Sequence, residues 1–159
     1  MSKPNIVLVR IDNRLIHGQV ATAWTNFVGA NLLVVPNDDV AKNEMRQSLM
    51  DMATPQGVQT RYFSVQKTID VIHKASDKQI IGLIVETPQD VLRLAEGGVP
   101  ISMVNIGNMH MEPGKKQISK AVCVNQDDID VFKKLSSMGI KLEIQRVPAE
   151  GKEDILKLI

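Results

Sequence analysis

The chain is short of several residue types, and each shortage removes a class of function. Cys123 is the only cysteine among 159 residues. No disulfide can form within the chain, and a cysteine-based zinc site within one chain is excluded. Aromatic residues amount to one Trp, one Tyr and three Phe, too few to supply a stacking platform for RNA or single-stranded DNA. Neither sign of charge prevails: 19 Lys and Arg face 18 Asp and Glu, for a net charge of +1. No bulk field draws nucleic acid or an anionic membrane to it, so any basic site must be local. No apolar run approaches the roughly 20 residues needed to span a bilayer. The opening Met1-Ser2-Lys3-Pro4 lacks the apolar core and small-residue cleavage site of a signal peptide, and the chain reads as cytoplasmic.

What is present is an ordinary globular composition, 43% apolar and 23% charged. The length suits a single domain over residues 1–159 with a full hydrophobic core. Apolar runs at Ile6 to Ile11, Leu32 to Val35, Val58 to Phe63, Gln79 to Val85, Ile101 to Ile106, Lys120 to Val124 and Leu142 to Gln145 read as seven strands. Val58 to Phe63 is the least apolar of the early runs and is expected nearer an edge. Helical patterns lie between most of them. Asn37 or Asp38 is a cap for a helix running to about Met52, with Val40, Met45, Leu49 and Met52 on its apolar face. Ser64, Thr87-Pro88 and Asn125 mark three further helix starts. Gly107 to Ser119 has no clear period and reads as a long loop, and Ala149 to Leu158 as a final helix. Strand and helix alternate almost throughout. That predicts an α/β fold with an open, mostly parallel sheet and helices on both faces, a three-layer arrangement. In such sheets ligands bind beyond the carboxyl ends of the strands.

Two loops on that edge carry unusual chemistry. The first is Arg10-Ile11-Asp12-Asn13-Arg14-Leu15-Ile16-His17-Gly18-Gln19, between the first strand and a short helix. A loop histidine taken alone is more often structural than catalytic. Here His17 has two arginines close in sequence, and it stands where a helix begins. Arginine pairs bidentately with phosphate and stays charged. The amides of a helix N-terminus, starting at Gly18 and Gln19, bind anionic oxygens. Phosphoryl transfer rests on positioning and charge stabilisation, which these residue types provide. Asp12 is suited either to hold the second imidazole nitrogen or to pair with an arginine. The second loop, Gly107-Asn108-Met109-His110 with Lys115 and Lys116, offers Gly107 and Asn108 for close approach to phosphate. Its His110 reads as an incidental turn histidine or as a contact to phosphate or a docking partner. Its lysines read as solvated cations or as positive potential for a phosphorylated partner. Trp24 reads as a packing residue, Cys123 as an inert buried one, and Asp127-Asp128 as a helix start with no metal signature.

The eleven residues from Arg10 to Val20 resemble the active-site segment of the enzyme IIB component of the mannose-type (mannose, fructose, sorbose) sugar phosphotransferase system. Asn37-Asp38-Asp39-Val40-Ala41 resembles that family's next characteristic segment. Asn105-Ile106-Gly107-Asn108-Met109-His110, followed by Gly114-Lys115, resembles its later loop. Lys67-Thr68-Ile69-Asp70-Val71-Ile72-His73 and Gly-Asn-Met-His are most similar to the N-acetylgalactosamine or galactosamine branch. The resemblance implies that His17 is the phosphohistidine, modified at its δ nitrogen. It implies a phosphorylated IIA protein as donor and a sugar, held by membrane IIC and IID components, as acceptor. Arg10, Asp12 and Arg14 are then expected around the phosphoryl group, and Gly18, Gln19, Gly107 and Asn108 as phosphate-binding. His110 and Lys115 are expected to dock partners, with the protein peripherally associated with its membrane transporter. No metal or organic cofactor and no nucleic acid enters this chemistry. The rival readings are a non-catalytic phosphate-sensing module, a IIB component specific for mannose, fructose or sorbose, and a small phosphate-ester hydrolase. The oligomeric state, a homodimer included, stays open.

Overall fold

The computed structural model describes residues 3–159, apart from the side chains of Gln19 and Val20. Strands β1 (Asn5–Asp12), β2 (Leu32–Pro36), β3 (Gln59–Phe63), β4 (Ile80–Val85), β5 (Met103–Asn108), β6 (Lys116–Ser119), β7 (Val122–Val124), β8 (Lys141–Ile144) and β9 (Glu153–Asp154) alternate with five α-helices. These are α1 (Gly18–Val28), α2 (Glu44–Ala53), α3 (Val65–Val71), α4 (Pro88–Glu96) and α5 (Gln126–Ser137). Seven strands form one sheet in the order β3-β2-β4-β1-β5-β8-β9. All pairs are parallel except β8 with β9. The expected α/β architecture is therefore present, with β1 central and β3 at an edge.

The alternation of side chains along each strand divides the core in two. On β1, Val9 and Ile11 face one way and Leu8 the other; on β2, Leu32 and Val34 oppose Leu33 and Val35. The first set packs with Val65 of α3, Val91 and Leu94 of α4, and Phe132 and Leu135 of α5. The second packs with Trp24 of α1 and Met50 of α2. Arg10 shares parity with Leu8, so a guanidinium enters the α1 side of a central strand.

The helix starts are set by local chemistry. The side chains of Ser64, Thr87 and Asn125 accept from the amides of Lys67, Asp90 and Asp128 at 3.0, 3.2 and 2.8 Å. Asp128 returns a bond from the Asn125 amide, completing a capping box. Three expectations need correction. The helix expected from about residue 38 is broken. Asn37 gathers the amides of Asp39 and Val40 into a separate 3-10 turn, Val40–Lys42, and Asn43 caps a new helix at Glu44. The break puts Val40 on a different element, and Met45, Leu49 and Met52 are exposed, while Met50 is the buried residue of α2. The apolar run ending at Val124 does not join the main sheet. It folds back on β6, inside the supposed long loop, as an antiparallel pair. The seventh strand of the sheet is instead β9, in the stretch expected to be helical. There the chain pairs briefly with β8, and only one helical turn, Ile155–Lys157, follows.

Phe132 is fully buried on the α5 side of the larger core. Phe132→Ala is expected to lower the unfolding free energy by about 3–5 kcal/mol, read as a fall in urea midpoint with an unchanged slope.

Candidate active site

Arg10 is 2% exposed and lies across β5 toward the end of β8. Its Nη1 donates to Asn105 Oδ1 and to the Gln145 carbonyl at 2.8 Å. Its Nη2 donates to the Arg146 carbonyl at 2.8 Å. The Trp24 ring covers the guanidinium, 4.7 Å from Cζ to the ring centroid, and the indole Nε1 donates to the same Arg146 carbonyl at 3.0 Å. The buried Asn105 amide also reaches Gln145 Oε1 at 3.4 Å. Burial pulls the Arg10 pKa down to about 10, with Asp12 opposing the shift, so the group stays cationic at neutral pH. Gly107 makes the crossing possible. A Cβ there would stand 2.1 Å from Arg10 Nη2.

Asp12 ends β1 at a register shift against β5, and its carboxylate is 1% exposed. Oδ1 accepts from the Arg14 amide at 3.0 Å and from Arg14 Nε at 3.2 Å. Oδ2 accepts from Arg14 Nη2 at 3.3 Å and faces Arg10 Nη2 at 3.8 Å. Of the two roles left open for Asp12, the structure shows pairing with arginine. The two arginines are not equivalent. Arg14 is about half exposed, held in a fork by one carboxylate, while Arg10 is buried among fixed acceptors.

The chain then turns sharply. Leu15 donates its amide to the Asp12 carbonyl at 2.9 Å and adopts φ 61°, the one non-glycine positive φ among the described residues. That conformation costs about 1–2 kcal/mol for a residue with a Cβ. Burial of the Leu15 and Ile16 side chains in the smaller core holds it in place. The turn delivers His17 to the N-cap of α1, where its side chain makes no capping bond. Instead Nδ1 lies 3.0 Å from the Leu15 carbonyl, while Nε2 is buried with no hydrogen-bond partner among the described residues. A carbonyl only accepts, so the proton sits on Nδ1 and the lone pair on Nε2. Attack through Nδ1 requires the ring to leave that carbonyl and carry its proton on Nε2.

The second loop meets the first. Asn13 donates its amide to the Asn108 carbonyl at 3.1 Å, and the Asn108 side-chain amide donates to Asn13 Oδ1. Asn108 thus ties the loops together through the group that was expected to face phosphate, and Gly107 serves Arg10. Gly18 is exposed at the start of α1, where the His17 side chain caps none of the first-turn amides; the side chain of Gln19 lies outside the described residues. His110 is exposed and pairs with Glu112 at 3.2 Å. Lys115, expected to be an outward cation, turns inward between Glu112 and the buried Asp128, 3.3 Å from each. It pins the second loop to the start of α5. Sequence reasoning missed Asn105, Gln145 and the structural use of Trp24. A polar Asn105 inside an apolar strand was the available signal.

Two outcomes follow for measurement. Gly107→Ala is expected to cost about 1–3 kcal/mol by overpacking, with a lowered thermal midpoint and altered fluorescence of Trp24. In the resting protein, long-range 1H–15N correlation spectra should show His17 protonated at Nδ1; a protonated Nε2 would contradict the Leu15 hydrogen bond.

Comparison with known proteins identifies the family. Residues 6–159 match the family described as PTS system sorbose subfamily IIB component. The chain is 49% identical over 156 residues to the N-acetylgalactosamine-specific phosphotransferase enzyme IIB component 2 of Escherichia coli (strain K12), covering 98% of this chain and 99% of that one. It is 42% identical over 156 residues to the mannose-specific EIIAB component of the same strain, covering 97% of this chain and 48% of that one. It superimposes with a TM-score of 0.94, at 39% identity and over the full length of both chains, on the crystal structure of an N-acetylgalactosamine IIB component from Streptococcus pyogenes. With its seven-stranded sheet and its match from Ile6 to the final residue, this chain belongs to the sorbose-subfamily IIB components of the sugar phosphotransferase system.

Proposed function

We propose that the chain is a single-domain cytoplasmic phosphocarrier, taking a phosphoryl group onto His17 from a phosphorylated IIA protein and passing it to a sugar. The observation that carries this is His17 at the N-cap of α1, three residues after an arginine held ready by a buried carboxylate. In the first step an imidazole lone pair attacks phosphorus, the donor's N–P bond breaks, and its bonding pair returns to the donor imidazole. In the second step a sugar hydroxyl oxygen takes the phosphoryl group, the hydroxyl proton passes to solvent, and the His17 N–P pair returns to the ring. Once the ring has left the Leu15 carbonyl and carries its proton on Nε2, that nitrogen keeps its hydrogen through both steps. Arg14 and the first-turn amides of α1 neutralise and orient the three phosphoryl oxygens.

The family supports IIA as donor and membrane IIC and IID components as holders of the sugar. In the mannose-specific EIIAB relative, the matching half shares a chain with the remainder of that protein. The proposed sugar is N-acetylgalactosamine or galactosamine, in line with the names of the Escherichia coli and Streptococcus pyogenes relatives. No helix among the described residues is long and apolar enough to cross a membrane, which suits peripheral association with such a transporter. His110 and the exposed rim of the second loop are proposed as docking contacts.

Incubation with phosphorylated IIA should place an acid-labile, alkali-stable label on the wild-type chain and none on His17→Ala. A label retained by that variant would remove His17 from the role. Arg14→Ala is expected to slow transfer by about a hundredfold with an unchanged melting temperature.

A further inference from the structure

We propose that Asp12 is a shared acceptor whose two arginines have separate tasks: Arg14 leaves it for the arriving phosphoryl group, and Arg10 stays as its counter-ion. This deepens the phosphocarrier reading and rests on it. Arg10 acts as a positioning residue that does not touch the phosphoryl group.

The asymmetry of the pair carries the idea. Arg10 is immobile. Its Nη atoms donate to Asn105 and to the Gln145 and Arg146 carbonyls, and Trp24 lies over its face. Among the described residues, its guanidinium has one acidic partner, Asp12, 3.8 Å from Nη2. Among the described residues, the hydrogen bonds of the Arg14 side chain all go to Asp12, and it is about half exposed. A phosphoryl group on the neighbouring imidazole is a stronger, doubly charged competitor for that fork. A lone buried carboxylate could not release its partner, because an unpaired charge at 1% exposure is heavily penalised. Asp12 is not left alone. When the Arg14 side chain departs, Oδ1 keeps the Arg14 main-chain amide at 3.0 Å and Oδ2 keeps Arg10. The loop holds its turn while the mobile arginine changes acceptor. In the empty site the same tether fixes Arg14 within the loop that carries His17.

The test is a charge-rescue series read by single-turnover transfer from phosphorylated IIA at saturating donor. Arg10→Gln should slow transfer by about tenfold or more, because Asp12 then retains Arg14. Adding Asp12→Asn should restore most of that rate, since no charge is left that needs a counter-ion. A double variant as slow as Arg10→Gln would overturn the proposal and place Arg10 on the phosphoryl group or in a purely structural role. The second measurement needs no variant. On phosphorylation of wild-type chain, the Arg14 Nε–H resonance should shift and gain protection, while that of Arg10 stays in place; the reverse pattern would overturn the proposal even if Arg10→Gln failed to fold. Absence of any label on wild-type His17 would remove the phosphocarrier reading and this proposal together, whereas normal labelling without rescue would remove the proposal alone.

Discussion

One guanidinium organises the functional end of this protein. Arg10 leaves the central strand on the face where Leu8 packs, crosses β5 over Gly107, and ends on the carbonyls that follow β8. It joins β1, β5, β8 and, through Trp24, α1. A buried cation is tolerable only when acceptors surround it. Asn105, two main-chain carbonyls, an aromatic face and Asp12 meet that need. Those acceptors are in register because the strands are parallel neighbours, with Arg10 opposite Asn105. The placement of the loop bearing His17 therefore depends on a charge that must itself remain buried.

Above that base the first loop is held by few contacts of different kinds. The Asp12 carboxylate organises the turn from inside, the Asn13–Asn108 pair fastens it to the second loop, and Leu15 and Ile16 anchor it in apolar surroundings. The price is a left-handed leucine one residue from the start of the turn into α1. Unfavourable backbone of this kind persists where surrounding packing over-determines it, and such positions cluster at functional sites. Here it aims a carbonyl at the imidazole and so sets which nitrogen carries the proton.

Much of this was legible before any coordinates. The alternation of strands and helices, the caps at Ser64, Thr87 and Asn125, and the basic turn around His17 are all local patterns, and local patterns survive in the linear text. What was hidden depends on partners far along the chain. Lys115 looks like a free cation until Asp128, 13 residues later, is seen beneath it. Gly107 and Asn108 look like phosphate ligands until Arg10 and Asn13 claim them. The grouping of Arg10 with Arg14 hid a clue of period two: with Val9 and Ile11 on one face, Arg10 had to point into the other. The break after Lys42 was masked because Val40, Met45, Leu49 and Met52 mimic a helical stripe across two separate elements.

The two faces of the sheet are unequally provided with apolar packing. The larger cluster lies beneath α3, α4 and α5, while the smaller, beneath α1 and α2, gives part of its area to the Arg10 network. Local opening free energies follow buried apolar contact. The layer carrying His17 is accordingly the one expected to open first, its amides exchanging ahead of those of α5. A carrier that must fit a donor protein and then an acceptor site gains from such a gradient: its receiving layer can yield without the scaffold behind it coming apart.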